Sequence, residues 1–182
     1  MNFESLEIED LLIIENQSFS DDRGFFYESF NQREFEKVIG SEIKFVQDNF
    51  SVSKRGVLRG IHFQKKPFEQ GKLVRVSKGS AYDVAIDLRK DSNTFLQWYG
   101  LELSDDNKKM FWIPEGFGHA FLALSDECHF CYKTTNYYDK SSEDCIIYND
   151  NDLKINWPNL DREYILSTKD LEGKTIKELY FE

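Results

Sequence analysis

Short stretches of alternating or continuous apolar residues recur along the chain, and β-branched and aromatic side chains dominate them. Glycine, asparagine, aspartate or serine separates most of these stretches from the next. The pattern predicts strands over residues 11–16, 24–30, 43–53, 57–64, 72–79, 81–89, 95–104, 109–114, 120–125, 129–136 and 145–150. Short strands at this regular spacing are typical of an all-β antiparallel sandwich or barrel.

Helical patterns are confined to two places. Residues 31–40 predict a helix that Asn31 can cap, with Glu34 three residues further on and Gly40 at its end. Its apolar face consists of Phe35, Val38 and Ile39. Residues 167–181 predict a second, helical or mixed, segment near the end of the sequence.

Composition supports one folded domain over residues 1–182, because no linker, repeat or low-complexity stretch interrupts the chain. Aromatic residues make up 15% of the sequence, which suits packed sheets. The formal net charge of −10 argues against general nucleic-acid binding but allows a few cationic side chains to hold a small anion. Because no apolar run approaches the roughly 20 residues of a membrane helix, no membrane association is expected.

Three cysteines are present, and two of them, Cys128 and Cys131, form a C-x-x-C motif. A zinc site needs further ligands at suitable spacing, and strand alternation would place these two thiols on opposite faces. They are therefore interpreted as packing residues. The odd number of cysteines and the absence of a recognisable signal peptide predict a reducing, cytoplasmic environment.

The predicted strand 81–89 has two chemically different faces. Alternate positions from Tyr82 to Leu88 are apolar, whereas the intervening positions carry Asp83, Asp87 and Arg89. A barrel with a polar interior would turn the charged face inward, and an ordinary sandwich would turn it to water. The pattern alone leaves both arrangements open.

Metal-dependent chemistry is one interpretation of the polar residues that lie within the strands. A metal-binding barrel of the cupin type uses an H-x-H pair, but His62-Phe63-Gln64 carries glutamine at the second ligand position. His119 is a candidate later ligand, and two histidines alone leave a site short of ligands. The sequence therefore favours a site without a metal.

Acid–base chemistry is the second interpretation, and it needs groups that the chain supplies. A neutral His62 suits a general base because its reference pKa of about 6.5 lies near working pH, provided a carboxylate orients it. Lys72 is a candidate for stabilising an oxyanion, and Tyr132 for returning a proton to the opposite face. Together these groups suit proton abstraction next to a carbonyl.

Seven ordered motifs carry a resemblance to a known family. They read DDRGFFYESFN, FVQDNFS, GVLRGIHFQ, QGKLVRV, DVAIDLRKDSNTF, WIPEGFGHAFLALS and YKTTNYY. With these motifs the chain resembles the dTDP-4-dehydrorhamnose 3,5-epimerases, from about residue 8 to residue 158 and again over residues 165–170.

The resemblance implies a cupin-type antiparallel jelly-roll barrel with a few short peripheral helices. It also implies a homodimer that works without a metal or another cofactor. The implied substrate is a dTDP-4-keto-6-deoxyhexose, namely dTDP-4-dehydro-6-deoxy-D-glucose, whose C3 and C5 are inverted to give dTDP-4-dehydro-L-rhamnose.

The resemblance also implies a role for individual residues. His62 matches the base, Lys72 the residue near the C4 oxygen, and Tyr132 the acid on the opposite face of the sugar. Asp170 matches the carboxylate paired with the base, and Asp83 stays a rival for that role if its strand face points inward.

The remaining matches concern binding of the nucleotide sugar. Arg23 and Arg59 match a guanidinium pair that holds the diphosphate, for which bidentate arginine is well suited. The other matches are Phe26 and Tyr138 as thymine stackers, Glu28, Gln47 and Asn49 as nucleotide contacts, and His119, Glu143 and Lys169 as ligand-side positions. In several relatives the segment around Arg23 reaches the neighbouring subunit's site.

The chain departs from the family pattern near the sugar end of the site. Tyr164 and Thr168 stand where many relatives have proline and aspartate, and Glu143-Asp144-Cys145 replaces a frequent Glu-x-Gly pattern. These changes leave sugar specificity open. The alternatives are an epimerase that inverts only C3 or only C5, a non-catalytic cupin that binds nucleotide sugars, and a metal-dependent cupin oxygenase.

Overall fold

The computed structural model describes residues 1–39 and 43–181 of the chain. The strands are β1 Asn2–Ser5, β2 Leu12–Glu15, β3 Ser18–Asp21, β4 Gly24–Tyr27, β5 Gln47–Ser53, β6 Leu58–Gln64, β7 Lys72–Lys78, β8 Ser80–Asp87, β9 Trp98–Ser104, β10 Lys109–Ile113, β11 Phe117–Ala123, β12 Cys128–Thr134 and β13 Glu143–Cys145. The helices are α1 Gln32–Ile39, α2 Thr168–Leu171 and α3 Ile176–Tyr180.

Two antiparallel sheets form the body of the molecule. The six-stranded sheet has the order β1-β2-β10-β7-β12-β5, and the five-stranded sheet has the order β13-β6-β11-β8-β9. Strands β3 and β4 form a separate hairpin. From β5 to β13, successive strands alternate between the two sheets except at the β8–β9 pair, as in a jelly roll. The predicted all-β antiparallel class is confirmed.

Side chains from the inner faces of both sheets form the main core. Val74, Phe111 and Phe130 enter it from the six-stranded sheet, and Ala85 and Phe121 from the five-stranded sheet. The rings of Phe121 and Phe130 stack at a centroid distance of 4.0 Å, which ties the sheets together. This apolar core fills one part of the barrel interior. The inward-facing polar side chains, among them Lys72, Asp83 and His119, lie together in the remaining part.

Two further layers cover the outer faces of the sheets. Phe35 of α1 packs edge-on against Trp112 at 5.1 Å on the outside of the six-stranded sheet. The C-terminal segment, including Ile176, covers Val84 and Ile86 of the five-stranded sheet. Both faces of β8 are therefore buried, because one faces the barrel interior and the other lies under the C-terminal segment.

Several predicted boundaries needed correction. The predicted strand 24–30 is the second half of a hairpin, and the stretch 145–150 leaves the sheet after Cys145 because the backbone of Ile147 pairs with Lys174 instead. Strands β1 and β3 were not predicted. The predicted tail helix, 167–181, consists of the two short helices α2 and α3.

The predicted helix 31–40 is present as α1, and the side chain of Asn31 caps it by accepting a bond from the backbone N–H of Glu34 at 3.2 Å. Glu34 does not complete a capping box, because its carboxylate pairs with Lys37. Val38 is 42% exposed rather than part of the buried face. Gly40 lies outside the described residues.

Within the described residues, no helix has the length and apolar character needed to cross a membrane.

Candidate active site

A bulge in β6 aligns the polar residues of this strand. His62 pairs with His119 of β11, and Arg59 pairs with Phe121, so three steps on β6 match two steps on β11. The extra residue lets Arg59 and His62 both pair with inward-facing partners, although an odd separation would otherwise place them on opposite faces. Gly60 is required here because its φ is +119° and an added Cβ would lie 2.6 Å from Ala120 Cβ.

The five-stranded sheet presents a row of neighbouring side chains to the barrel interior. Three of these residues are direct partners on the neighbouring strands β13, β6 and β11, namely Cys145, His62 and His119 in that order. Glu143 lies two residues before Cys145 and therefore shares its face. Asp83 of β8 lies diagonally across from His119 and is fully buried.

His62 and Asp170 form a close pair. His62 Nε2 lies 2.7 Å from Asp170 Oδ1, and Asp170 is only 2% exposed. The backbone N–H of Gly60 donates to the same oxygen at 3.2 Å, and the hydroxyl of Ser167 donates to Oδ2 at 2.6 Å. Ser167 is the N-cap of α2, so the carboxylate that completes the capping box also orients the imidazole.

The environment of Asp170 keeps it ionised and so fixes the state of His62. Burial opposes ionisation, but hydrogen bonds from His62, Ser167 and Gly60 outweigh it and lower the pKa of Asp170 to about 2. An ionised Asp170 favours the His62 tautomer that carries hydrogen on Nε2. Nδ1 then keeps its lone pair and is the atom able to accept a proton.

Asp83 has a different partner. His119 Nε2 lies 2.9 Å from Asp83 Oδ2, and both residues are buried. Burial lowers the pKa of His119 despite the opposing effect of Asp83, so this imidazole is neutral. The geometry favours Asp170 over Asp83 as the partner of His62. Asp87, on the same face of β8 as Asp83, is not part of this site. Its carboxylate accepts hydrogen bonds from Arg89 in the turn that follows the strand.

Lys72 and Tyr132 belong to the opposite, six-stranded sheet. They lie on neighbouring strands β7 and β12, where Tyr132 pairs with Val74 and Lys72 pairs with Thr134. Lys72 is 9% exposed and interacts electrostatically with Asp83 and Glu143. Burial raises the pKa of Tyr132, with a smaller opposing effect of Arg59. A buried ammonium and a protonated phenol thus face the histidine row across the barrel.

The state of Lys72 leads to a pH prediction. Burial lowers the pKa of Lys72 to about 8, so the ammonium is present below that pH and is lost above it. If this charge stabilises the reaction, kcat falls with an apparent pKa near 8 on the alkaline side, as a pH–rate profile would measure. Lys72→Arg should move this fall to higher pH, because a guanidinium stays charged. An unchanged alkaline limb in Lys72→Arg would contradict the assignment.

Glu143 connects two other predicted ligand-side residues. It accepts a hydrogen bond from the Tyr138 hydroxyl at 2.9 Å and forms an ion pair with Lys169. Burial opposes ionisation of Glu143, but the bonds from Lys169 and Tyr138 outweigh it, so its pKa is lowered. These three side chains form a rim beside His62, with which Glu143 also interacts electrostatically.

Gln47 and Asn49 share one face of β5, as the alternation predicted. Gln47 Nε2 donates to Asn49 Oδ1 at 2.8 Å, whereas Asp48 between them is exposed and pairs with Lys133. Asn49 pairs directly with Tyr132 in the sheet. Arg59 donates to Ser53 Oγ at 3.2 Å, which places its guanidinium beside the same strand. These residues extend the site from Tyr132 along β5.

Three predicted binding residues are not gathered with the others. Arg23 is at the tip of the β3–β4 hairpin, where its side chain is 89% exposed and pairs with Asp21. Phe26 is 72% exposed on the same hairpin, and Glu28 just beyond it accepts a bond from Asn31. Within one chain, the hairpin therefore offers these groups to solvent.

Three residues at this site had no role predicted from the sequence. Gly60 and Ser167 both donate hydrogen bonds to Asp170. A glycine inside a predicted strand often marks a bulge, so Gly60 was the signal from which the bulge could have been predicted. Cys145 lies beside His62, and burial raises the pKa of its thiol to about 12, so it is not a thiolate nucleophile. The other two thiols lie elsewhere, with Cys128 fully buried.

A jelly roll that carries a histidine–aspartate pair opposite a buried lysine and tyrosine has the architecture and the acid–base groups of a cupin-type isomerase. The family model described as dTDP-4-dehydrorhamnose 3,5-epimerase matches residues 5–178. The chain belongs to the dTDP-4-dehydrorhamnose 3,5-epimerase family.

Individual relatives support the assignment of the chain to this family. The chain is 52% identical over 179 residues to dTDP-4-dehydrorhamnose 3,5-epimerase of Escherichia coli K12, covering 98% of this chain and 96% of the relative. The crystal structure of the Elizabethkingia anophelis NUHP1 enzyme of the same name has a TM-score of 0.94 at 45% identity, with 98% and 97% coverage. The Legionella pneumophila Philadelphia 1 dTDP-6-deoxy-D-glucose-3,5-epimerase, in complex with dTDP-4-keto-L-rhamnose, has a TM-score of 0.92 at 49% identity, with 96% and 92% coverage.

Proposed function

We propose that the chain inverts C3 and C5 of dTDP-4-dehydro-6-deoxy-D-glucose to give dTDP-4-dehydro-L-rhamnose. The observation that carries this proposal is the His62–Asp170 pair on one wall of the barrel, with Lys72 and Tyr132 on the other. Membership of the family and the keto-rhamnose bound to the Legionella relative support the same substrate class.

The first step of the proposed reaction removes a proton beside the C4 ketone. His62 Nδ1 takes the proton, and the ionised Asp170 stabilises the imidazolium that forms. The electron pair of the broken C–H bond moves onto the C4 oxygen as an enolate. The Lys72 ammonium stabilises this charge, and its burial strengthens the interaction because little water screens it.

The second step returns a proton to the same carbon from the opposite face. Tyr132 gives its phenolic proton to the enolate carbon. Burial raises the pKa of this phenol, so the proton is present in the free protein and available for the reaction. Inversion follows from the placement of the base and the acid on opposing sheets. The imidazolium then loses its proton to solvent and the phenolate regains one, so that the same two groups can invert the second carbon, and this exchange is repeated before the next turnover.

The nucleotide is proposed to bind along β5 and the rim. Gln47 and Asn49 offer amide groups for polar contacts, Arg59 offers a guanidinium for the diphosphate, and the exposed ring of Tyr138 offers a face for the thymine. Glu143 and Lys169, already paired with each other, are proposed to contact the ligand beside them. His119, held neutral by its burial, is proposed to contact the sugar as a hydrogen-bond donor or acceptor.

The test of this function is deuterium incorporation. The protein is incubated with dTDP-4-dehydro-6-deoxy-D-glucose in heavy water, and NMR follows both the label and the configuration at C3 and C5. We expect both carbons to exchange and to invert. Label and inversion at one carbon alone would show a mono-epimerase instead, and binding without any exchange would show a nucleotide-sugar-binding cupin.

We further propose that the protein works as a homodimer in which the β3–β4 hairpin completes the partner's site. Phe19, Phe25 and Phe26 on this hairpin are all more than half exposed, as are Phe50 and Val52 on the edge strand β5. An exposed group of large apolar side chains of this kind marks a protein–protein interface. The interface would carry Arg23 and Glu28 toward a nucleotide in the neighbouring barrel.

Complementation between two inactive variants tests this arrangement. Arg23→Ala and His62→Asn should each be inactive, because one lacks a phosphate ligand and the other lacks the base. When the two are unfolded and refolded together, mixed dimers should regain one intact site and show substantial kcat in a steady-state assay. Light scattering should give a dimer mass. An absence of regained activity in confirmed mixed dimers would place Arg23 in its own chain's site.

The cellular setting is proposed from composition alone. We propose a cytoplasmic protein, because its three cysteines are free thiols, which a reducing compartment preserves. The net charge of −10 supports a small nucleotide sugar rather than a nucleic acid as the partner.

A further inference from the structure

Cys145 is the thiol of the inward-facing row, and the proposed reaction does not use it. It pairs directly with His62 between the antiparallel strands β13 and β6, so the two side chains are neighbours on one face. Its thiol donates a hydrogen bond to the carbonyl oxygen of Ile146 at 3.5 Å, an ordinary length for sulfur. A buried sulfur next to a histidine is a candidate metal ligand, because thiolate and imidazole bind the same borderline-soft cations.

Asp170 brings a third ligand group to the same point. A ring nitrogen of His62, Cys145 Sγ and a carboxylate oxygen of Asp170 all lie within 4.8 Å of one another. In a tetrahedral zinc site, bond lengths of about 2.0–2.3 Å place neighbouring ligand atoms about 3.3–3.8 Å apart. Side-chain adjustments of about 1 Å would therefore bring nitrogen, sulfur and oxygen onto one ion.

The surroundings favour a borderline-soft cation. Thiolate and imidazole together select zinc over magnesium or calcium, which prefer oxygen ligands. The hydrogen bonds from Ser167 hold the carboxylate in place, as the outer partners of metal ligands do. The His62 side chain is 30% exposed, so solvent reaches one of the three ligand residues.

We propose that His62, Cys145 and Asp170 form an inhibitory site for zinc or a similar thiophilic divalent cation. The inference rests on the proposed function only in so far as His62 is the base. On binding, Zn²⁺ replaces the thiol proton of Cys145, which passes to solvent. The proton of the neutral His62 moves from Nε2 to Nδ1, so that the ion takes the place of the His62–Asp170 hydrogen bond. No oxidation or reduction takes place.

Occupation of this site stops the reaction for two reasons. An imidazole bound to a dication is a poor proton acceptor, because the positive charge opposes formation of the imidazolium. The ion also takes the carboxylate that would stabilise the imidazolium. Zinc is therefore an inhibitor of this site and not a cofactor, and Cys145 is the residue that makes the site responsive to it.

Cobalt spectroscopy tests the site without reference to turnover. Chelator-treated protein is titrated with Co²⁺, whose bond to a thiolate gives a charge-transfer band in the near ultraviolet. We expect the band in the wild type and in Cys131→Ser, and its loss in Cys145→Ser. Cys131→Ser is the matched control because it removes a thiol elsewhere on the sheet surface. Absence of the band from the wild type, or its persistence in Cys145→Ser, would overturn the proposal.

Inhibition by zinc chloride tests whether occupation of this site stops the reaction. The rate of each variant with zinc is compared with the rate of the same variant without zinc. The zinc concentration for half-inhibition should rise at least about 10- to 100-fold in Cys145→Ser, because loss of a direct ligand weakens a metal site no less than loss of a partner that only supports a ligand. It should stay unchanged in Cys131→Ser. Equal inhibition of both variants, or acceleration by zinc, would overturn the inhibitory role. A Cys145-dependent cobalt band in a protein that lacks epimerase activity would contradict the proposed function and leave the metal site standing.

Discussion

Replacement of His62 by asparagine should lower kcat about 10²- to 10⁴-fold, the usual contribution of a general base. The imidazole is the group that removes the proton, and Asp170 is already bound to it at 2.7 Å in the free protein. Deuterium should therefore no longer enter the sugar from heavy water at either carbon. Rapid-quench kinetics and NMR of the recovered sugar measure the two effects.

The matched control for this variant is His129→Asn. The sequence has three histidines, and His129 lies at the surface, where it pairs with Glu127 rather than with a site residue. His129 also packs against Phe50 of the proposed interface, so light scattering must first show that this control keeps the dimer mass. It should then keep near-normal turnover. Unfolding midpoints in denaturant show whether His62→Asn has kept the fold. A folded His62→Asn protein that exchanges deuterium within tenfold of the wild-type rate would refute the assignment of the base.

Tyr132→Phe should separate the two halves of the reaction. The variant keeps the ring and loses the hydroxyl, so abstraction by His62 continues while delivery of a proton from the other face fails. Inversion should fall about 10²- to 10⁴-fold. Deuterium should still enter the starting sugar with retained configuration, because solvent can reprotonate the enolate from the side of His62. NMR separates the labelled starting sugar from the inverted product.

Tyr137→Phe is a suitable control, because Tyr137 lies in the same segment with its ring 64% exposed, and it has no proposed role. It should invert both carbons at close to the normal rate. If Tyr132→Phe inverted normally, another group would have to be the acid. If it lost exchange as completely as His62→Asn, the tyrosine would be needed for abstraction as well.

Strand periodicity predicted most of the sheet, because alternation reports a half-buried face directly. It left the orientation of β8 open, because both faces of this strand are buried. Val84 and Ile86 look like the buried face of an ordinary strand, yet Asp83 on the other face is fully buried as well. The C-terminal segment that covers the first face is distant in sequence, so the local pattern of β8 contains no trace of it.

The site was only partly predictable, because some of its contacts join segments that are distant in sequence. Residue chemistry singled out His62, Lys72 and Tyr132, and the structure places them on facing sheets. The choice between Asp83 and Asp170 depended on tertiary contacts that are separated by more than 100 positions in the chain, and on a bulge that changes which side of β6 faces inward. The hairpin carrying Arg23 shows the other limit, because the role proposed for it depends on a second subunit.

The separation of His62 from Asp170 by 108 positions has a consequence for biosynthesis. In the folded protein, the pairing of Ile165 beside Leu58 and the start of α2 at Ser167 hold the carboxylate in place. A nascent chain that ends after Cys145 but before Asp170 therefore contains strands β1–β13 but lacks the carboxylate that orients the imidazole. Translation of strand β6 alone does not provide an oriented base.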